Sequence, residues 1–352
     1  MQDATIRLPE PPRTPEAAIR TVPYSEVEHR TLWDRFVRAS MNGTVFHEQR
    51  FLAYHPAGRF NFHHLLFFQG ERLVAVLPGR LREDGRMYES PAGSSYGSFV
   101  TEDISAQTAL DVVAAFECYV EEQGIEEVYL TSAPVIYQPV LTQNLEFALL
   151  YRGYEYQRHY ISHVVDLRKP GLLFDRFKPA ARTYIRKVQR QEPDVVVEHV
   201  SRDSFKEGIE AFYPILLENK AKFGVKPTHS LEDLHALHEL LPNLMELFVV
   251  RKSGEAIAGL LFFIANQRVA LVFYQMLRYE YQHLRPIYLV MNEAAQWAKD
   301  NGFAFVDIGV SQDTNDENPM TPALSLIHFK EKFDSRGVLR STLFKKYARV
   351  NE

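Results

Sequence analysis

The apolar positions along this chain change period several times, and each change marks an element. Residues 246–309 read ELFVVRKSGEAIAGLLFFIANQRVALVFYQM, then RYEYQHLRPIYLVMNEAAQWAKDNG, then FAFVDIG. Short apolar runs around Ser253-Gly254 predict a hairpin, and a third run predicts another strand. A polar loop and an amphipathic helix follow, then a fourth strand that ends on a carboxylate, Asp307. A β-loop-α-β unit of this kind sets a helix N-terminus beside the carboxyl ends of two strands. Free backbone amides and the helix dipole favour negative charge there. In open sheets, ligands bind where strand ends part. The pattern therefore predicts a site for a phosphate-bearing ligand near Tyr274, Gln275 and Asp307.

The same order of elements runs loosely through the first half. SEVEHRTLWDRFVRAS reads as a helix with Leu32, Phe36 and Val37 on one face. FNFHHLLFFQGERLVAVLPGRL reads as a hairpin turning at Gln69-Gly70, and MYESPAGSSYGSFV as a strand with a Gly-rich loop. A helix closed by Gly124 and the strand IEEVYLTSA complete the set. Later come the basic helix FKPAARTYIRKVQRQ, a helix closed by Gly224, and a helix capped by Ser230 with Asp233 three residues on. Helix, hairpin, strand, helix, strand occurs twice. The expectation is an α/β (α+β) chain of two similar domains, residues 21–168 and 169–352, behind a disordered tail over residues 1–20. Two sheets of similar topology should meet between about Val165 and Phe177.

Composition narrows the function. The chain has 352 residues, 46% hydrophobic and 24% charged, enough for two cores. A net charge of -5 argues against a general nucleic-acid binder and against DNA. One cysteine, Cys118, excludes an internal disulfide and a thiolate zinc cluster; its helical setting predicts a small buried hydrophobe. His229, His235 and His238 show no metal-ligand spacing, so no metal is expected. No apolar run is long enough to span a membrane, and the N-terminus lacks an apolar signal core. These features predict a cytoplasmic protein. No Gly-x-Ser-x-Gly or Walker motif occurs, which disfavours hydrolases and NTPases.

The segments RTYIRKVQR, NKAKFGVKPTHSLEDLHAL, ELFVVRKSGEAIAGLLFF, VFYQM, PIYLVMNEAAQWAKDNGF, VDIG and HFKEKF, in this order, resemble the acetyltransferase-like domain of the FemAB family. With NGTVFHEQRFLAYHP, FNFHHLLFF and SPAGSSYGSFV, the whole chain resembles tandem-domain FemAB-like members of the GNAT superfamily. The resemblance implies two tandem GNAT-like folds with mixed sheets flanked by helices. It implies transfer of an acyl or aminoacyl group to an amine on a sugar, peptide or amino acid, some members drawing on aminoacyl-tRNA and others on acyl thioesters. No tightly bound cofactor is expected; the donor is acyl-CoA, an acyl-carrier protein or aminoacyl-tRNA, so a carrier protein or tRNA is a candidate partner. A small molecule or cell-envelope precursor is the candidate acceptor. The donor loop departs from the common glycine-containing pattern: it reads Arg278 to Pro286, with no glycine between Gly259 and Gly302. Close backbone approach to a pyrophosphate is harder without glycine, which leaves the charge to side chains.

Asp307 is the candidate base or amine-orienting group, and Tyr274 the candidate donor to a leaving group or oxyanion. Arg285, Pro286 and Ile287 at the helix start, with Lys330, are the candidate donor-phosphate contacts. Gln275, Asn219, Lys222 and His229 are candidate acceptor contacts, with Ser94 and Tyr96 in the first-half loop. Arg182, Arg186, Lys187 and Arg190 form a basic helix face that could meet phosphates. Each has a plainer reading as a cap, a packed aromatic or a solvated charge. A rival from another class is a ligand-binding module that keeps the fold without chemistry.

Overall fold

Turn chemistry sets the hairpins. Ser253 (φ 48°) and Gly254 (φ 88°) both adopt the left-handed conformation, which matches the strand twist of a two-residue loop. A computed structural model describes residues 18–348 apart from 84, 223 and 314–315. The first-half strands are β1 (Ile19–Pro23), β2 (Leu65–Gln69), β3 (Arg72–Leu77), β4 (Arg80–Arg82), β5 (Met87–Ser90), β6 (Val100–Thr101), β7 (Glu127–Thr131) and β8 (Glu155–Asp166). Its helices are α1 (Glu26–Ala39), α2 (Gln49–Leu52), α3 (Ala106–Glu122) and α4 (Asn144–Tyr151). Then come α5 (Leu173–Arg176), α6 (Pro179–Gln191), β9 (Val195–His199), α7 (Phe205–Ala221) and α8 (Leu231–Leu240). The chain ends with β10 (Met245–Lys252), β11 (Glu255–Ile264), β12 (Val269–Leu277), α9 (Pro286–Asp300), β13 (Phe305–Val310), α10 (Leu324–Lys330) and β14 (Ser335–Lys346). Ser230 caps α8 in a capping box with Asp233, and Pro286 opens α9, as the sequence predicts.

Among the described residues, four strands form one sheet, β1-β2-β3-β6, and ten form another, β4-β5-β7-β14-β8-β13-β12-β11-β10-β9. This differs from the expectation of one sheet per half. The cause is an exchange of last strands. β8, the last strand of the first half, pairs with β13, and β14, the last of the second, pairs with β7. β8 and β14 then pair with each other from Ser335↔Val165 to Phe344↔Glu155, which fuses the two halves. The tail expectation falls on residues 1–17, outside those described, but Ile19 and Arg20 already belong to β1. Cys118 is exposed, not buried; its neighbour Glu117 is the buried group, held by Arg152, Lys345 and Tyr347.

Alternate residues of β10 and β11 feed two cores. Leu247, Val249, Leu261 and Phe263 pack with α7 residues Phe205, Ile209, Phe212 and Leu216. Phe248, Val250, Leu260 and Phe262 pack with α9 residues Ile287, Met291, Ala294 and Ala298. Both faces are covered, which is why these strands read as unbroken apolar runs rather than alternation. The first of these cores also takes Phe46, Phe51, Tyr96 and Tyr137 from the first half, so it spans both halves.

Candidate active site

β12 and β13 run parallel for three pairs only, Val269↔Phe305, Ala270↔Val306 and Leu271↔Asp307. Beyond Leu271, β12 continues with β11 to Leu277, while β13 keeps only its pairing with β8, with a register break between Asp307 and Val310. The strands thus splay at Asp307. Gly309, at φ 78°, makes the bend there.

Asp307 is fully buried and saturated with donors. Its Oδ1 accepts from Ser162 Oγ at 2.5 Å and from the Gly309 N–H at 2.8 Å. Its Oδ2 accepts from the Tyr137 hydroxyl at 2.9 Å and the Tyr96 hydroxyl at 3.2 Å. Burial and then the Asp307 charge push both phenols far up, so they stay protonated donors. Tyr96 and Tyr137 belong to the first half and Ser162 to the exchanged strand β8. The geometry does not aim this carboxylate at an acceptor. Four donors occupy its oxygens, and it ties the halves together at the splay.

Lys330, the last residue of α10, is 4% exposed and feels the Asp307 charge. Its ammonium donates to Gly309 O at 2.7 Å and Val310 O at 2.8 Å. Burial lowers its pKa to about 8, and the Asp307 charge opposes part of that fall. His163 on β8 lies with Nδ1 3.1 Å from Ser311 Oγ and feels the Lys330 charge.

Tyr274, buried on β12, meets His229 from the loop before α8. The His229 N–H donates to the Tyr274 oxygen at 3.2 Å, and Nδ1 lies 3.1 Å from the same oxygen. Its Nε2 lies 3.1 Å from the Tyr54 hydroxyl of the first half. Burial lowers the His229 pKa to about 4 and raises that of Tyr274 to about 12, so both are neutral near pH 7. With Nδ1 unprotonated, Tyr274 donates to it and Nε2–H donates to Tyr54. Gln275, next on β12, has a buried Nε2 that finds no hydrogen-bond acceptor among the described residues.

The helix start carries the positive charge. Arg285 is exposed, holds φ 53° as the residue before α9, and lies 5.4 Å over the Tyr184 ring. No side chain caps α9. Lys332 donates to the Tyr288 hydroxyl at 3.1 Å beside it. Neither Arg285 nor Lys332 has a carboxylate partner among the described residues. Pro286 and Ile287 are buried at the first turn. The other candidates separate. Asn219 is buried and donates to Ile215 O and Leu277 O, which ties α7 to the end of β12. Lys222 lies over the Tyr279 ring on the surface, and Ser94 Oγ closes a local turn onto Tyr96 O. Tyr54, Tyr137, Ser162 and His163 were not foreseen. Tyr54 and Tyr137 lie in stretches without periodicity; Ser162-His163, two polar residues inside a strand, were the one legible signal.

Residues 177–318 match the acetyltransferase (GNAT) domain family. Among solved structures, FemX matches with a TM-score of 0.66 at 11% identity, covering 90% of this chain and 96% of its own. The C-terminal domain of a putative lysylphosphatidylglycerol synthetase from Agrobacterium fabrum matches with a TM-score of 0.59 at 13% identity, over 92% of this chain and 93% of that one. A tandem GNAT protein from the clavulanic acid biosynthesis pathway matches with a TM-score of 0.53 at 9% identity, over 95% and 100%. No curated protein matches the sequence. Residues 177–318 thus match the GNAT-type acetyltransferase domain family, and the chain as a whole shares the fold of FemX and of a tandem GNAT protein.

Proposed function

We propose that this protein is an N-acyltransferase that moves an acyl or aminoacyl group from an activated donor to an amine by direct attack. One observation carries the reading. At the splay of β12 and β13, the uncapped N-terminus of α9 stands beside two cations without carboxylate partners, Arg285 and Lys332. That arrangement suits the phosphates of a donor, and it supplies through side chains what a glycine loop would supply through amides. The donor is acyl-CoA, a carrier-protein thioester or aminoacyl-tRNA. Residues 21–168 are the acceptor unit and residues 169–352 the donor unit in this reading.

Attack by the amine builds negative charge on the carbonyl oxygen and then on the leaving group. Tyr274 gives its proton to the leaving group, the His229 N–H holds the oxygen, and the phenol regains a proton from the attacking amine as the amide forms. The free Nε2 of Gln275 is the donor for a substrate oxygen. Asp307 acts as a positioning residue through Tyr96, Tyr137 and Gly309 rather than as a base. The burial of Asp307 and Tyr274 favours one second reading, a binding module without chemistry.

A mass-spectrometric screen of the three donor classes against amine acceptors tests the pair of readings. Turnover is expected, with Tyr274→Phe slower by about 10²–10⁴-fold in single turnover. Donor binding without any transfer would leave the binding module standing.

A further inference from the structure

The first half has a splay of its own. β5 runs parallel to β7 from Met87↔Glu127 to Ser90↔Leu130. The chain then departs, and β6 joins β3 in the other sheet. α3 lies between β6 and β7 in the chain. A cavity of about 240 Å³ lies between Thr101, the last residue of β6, and Ser132, just after β7. The topology matches the β12-α9-β13 junction, but the chemistry is inverted. Ser105 caps α3 by accepting from the Thr108 N–H at 3.1 Å, and acidic Glu102 and Asp103 precede it. Among the described residues no lysine or arginine lines the cavity, while Glu102 and Glu146 do.

Glu102 is paired with Arg72. Glu146 accepts only from neutral donors, Gln143 and the Tyr156 hydroxyl, and has no cationic partner among the described residues. Gln138, also in the lining, buries an Oε1 that no hydrogen-bond donor reaches. An unbalanced carboxylate and an orphaned acceptor both call for N–H or O–H groups and positive charge. The size is at the small end for ligand sites, so the ligand is compact. Gln138 follows Tyr137 directly, and the Tyr137 hydroxyl donates to Asp307. The wall of this cavity is therefore continuous with the junction at the second splay.

We propose that the first-half splay is a binding site for a compact, hydroxylated primary amine that carries no phosphate. The site is geometrically independent of the chemistry, but its role as the acceptor site rests on the acyl-transfer reading above.

Calorimetry on the full chain, without donor, tests it with a matched set: glucosamine, glucose of the same size without the charge, and glucosamine 6-phosphate. Glucosamine should bind, with glucose and the phosphate ester each at least tenfold weaker. Glu146→Gln should weaken glucosamine at least tenfold and bring it level with glucose. Gln138→Leu should weaken both sugars, and an unchanged melting temperature confirms that each variant is folded. No glucosamine binding, or equal binding to wild type and Glu146→Gln, overturns the proposal, as does tighter binding of the phosphate ester. The two readings fail separately. Glucosamine bound through Glu146 with no transfer from any donor sinks the acyltransferase and keeps the site. Transfer to amines with binding indifferent to Glu146 and Gln138 does the reverse.

Discussion

At the scale of single residues, the polar groups at the splay are enclosed rather than displayed. A surface carboxylate would be a base in waiting; Asp307 has instead spent its lone pairs on Ser162, Gly309, Tyr137 and Tyr96. Asp307→Asn keeps the shape but turns one acceptor oxygen into a donor. The Tyr137 and Tyr96 hydroxyls, or Ser162 and the Gly309 N–H, then face an N–H₂ group. Leaving buried donors unmet costs about 1–3 kcal/mol each. We expect Asp307→Asn to lose about 3 kcal/mol of stability in denaturant unfolding, from the same principle of unmet buried groups. A stable variant that is slow by about 10²–10⁴-fold would restore Asp307 as a base. The sequence made Asp307 conspicuous by its place at a strand end. It could not show the donors around it, because Tyr96, Tyr137 and Ser162 are far along the chain and meet it only through tertiary packing.

At the scale of elements, the start of α9 combines strain with charge. Arg285 sits at φ 53°, a conformation that glycine adopts freely and other residues at a cost of about 1 kcal/mol. The backbone here holds a left-handed turn, while the side chain brings a cation. The two contributions separate by substitution. Arg285→Gly relieves the strain and should raise stability by up to about 1 kcal/mol, yet weaken binding of an anionic donor. Arg285→Ala should lose the same affinity without the gain in stability. Equal melting temperatures for the two variants would remove strain from the account, and unchanged donor affinity would remove the charge. The elements themselves were legible. Ser253-Gly254, Pro286, Gly124 and the Ser230–Asp233 capping box each act through local backbone chemistry, which neighbouring letters determine. Cys118 was misplaced because helical periodicity does not separate adjacent positions at the edge of an apolar face. The boundary fell so that Glu117 went in and Cys118 out.

At the scale of the whole molecule, the exchange of β8 and β14 was hidden from the sequence, because strand partners so distant in the chain leave no local mark. Its consequence is that the halves should not unfold independently. The buried histidines give that claim a pH signature. Burial lowers His47 to about 4, His64 to about 3 and His229 to about 4, all from an ordinary value near 6.5. His47 and His64 lie in the first half, and His229 in the second. A histidine whose folded pKa is depressed stays neutral in the native state while the unfolded chain takes up its proton. Stability is therefore full above about pH 6.5 and falls as pH drops towards about 4. Each such group contributes a slope of about 1.4 kcal/mol per pH unit in that window. These three alone contribute about 4 kcal/mol per unit between pH 6 and 4, and His55, His63, His163 and His238, also lowered by burial, add to it, as do the carboxylates. Urea unfolding across this range, followed by fluorescence and circular dichroism, should give one coincident transition whose midpoint drops steeply with acid. His229→Gln should take about 1.4 kcal/mol per pH unit off the slope, since its proton uptake is gone. Two separate transitions, with the His229 variant affecting only one of them, would show that the shared sheet does not couple the halves.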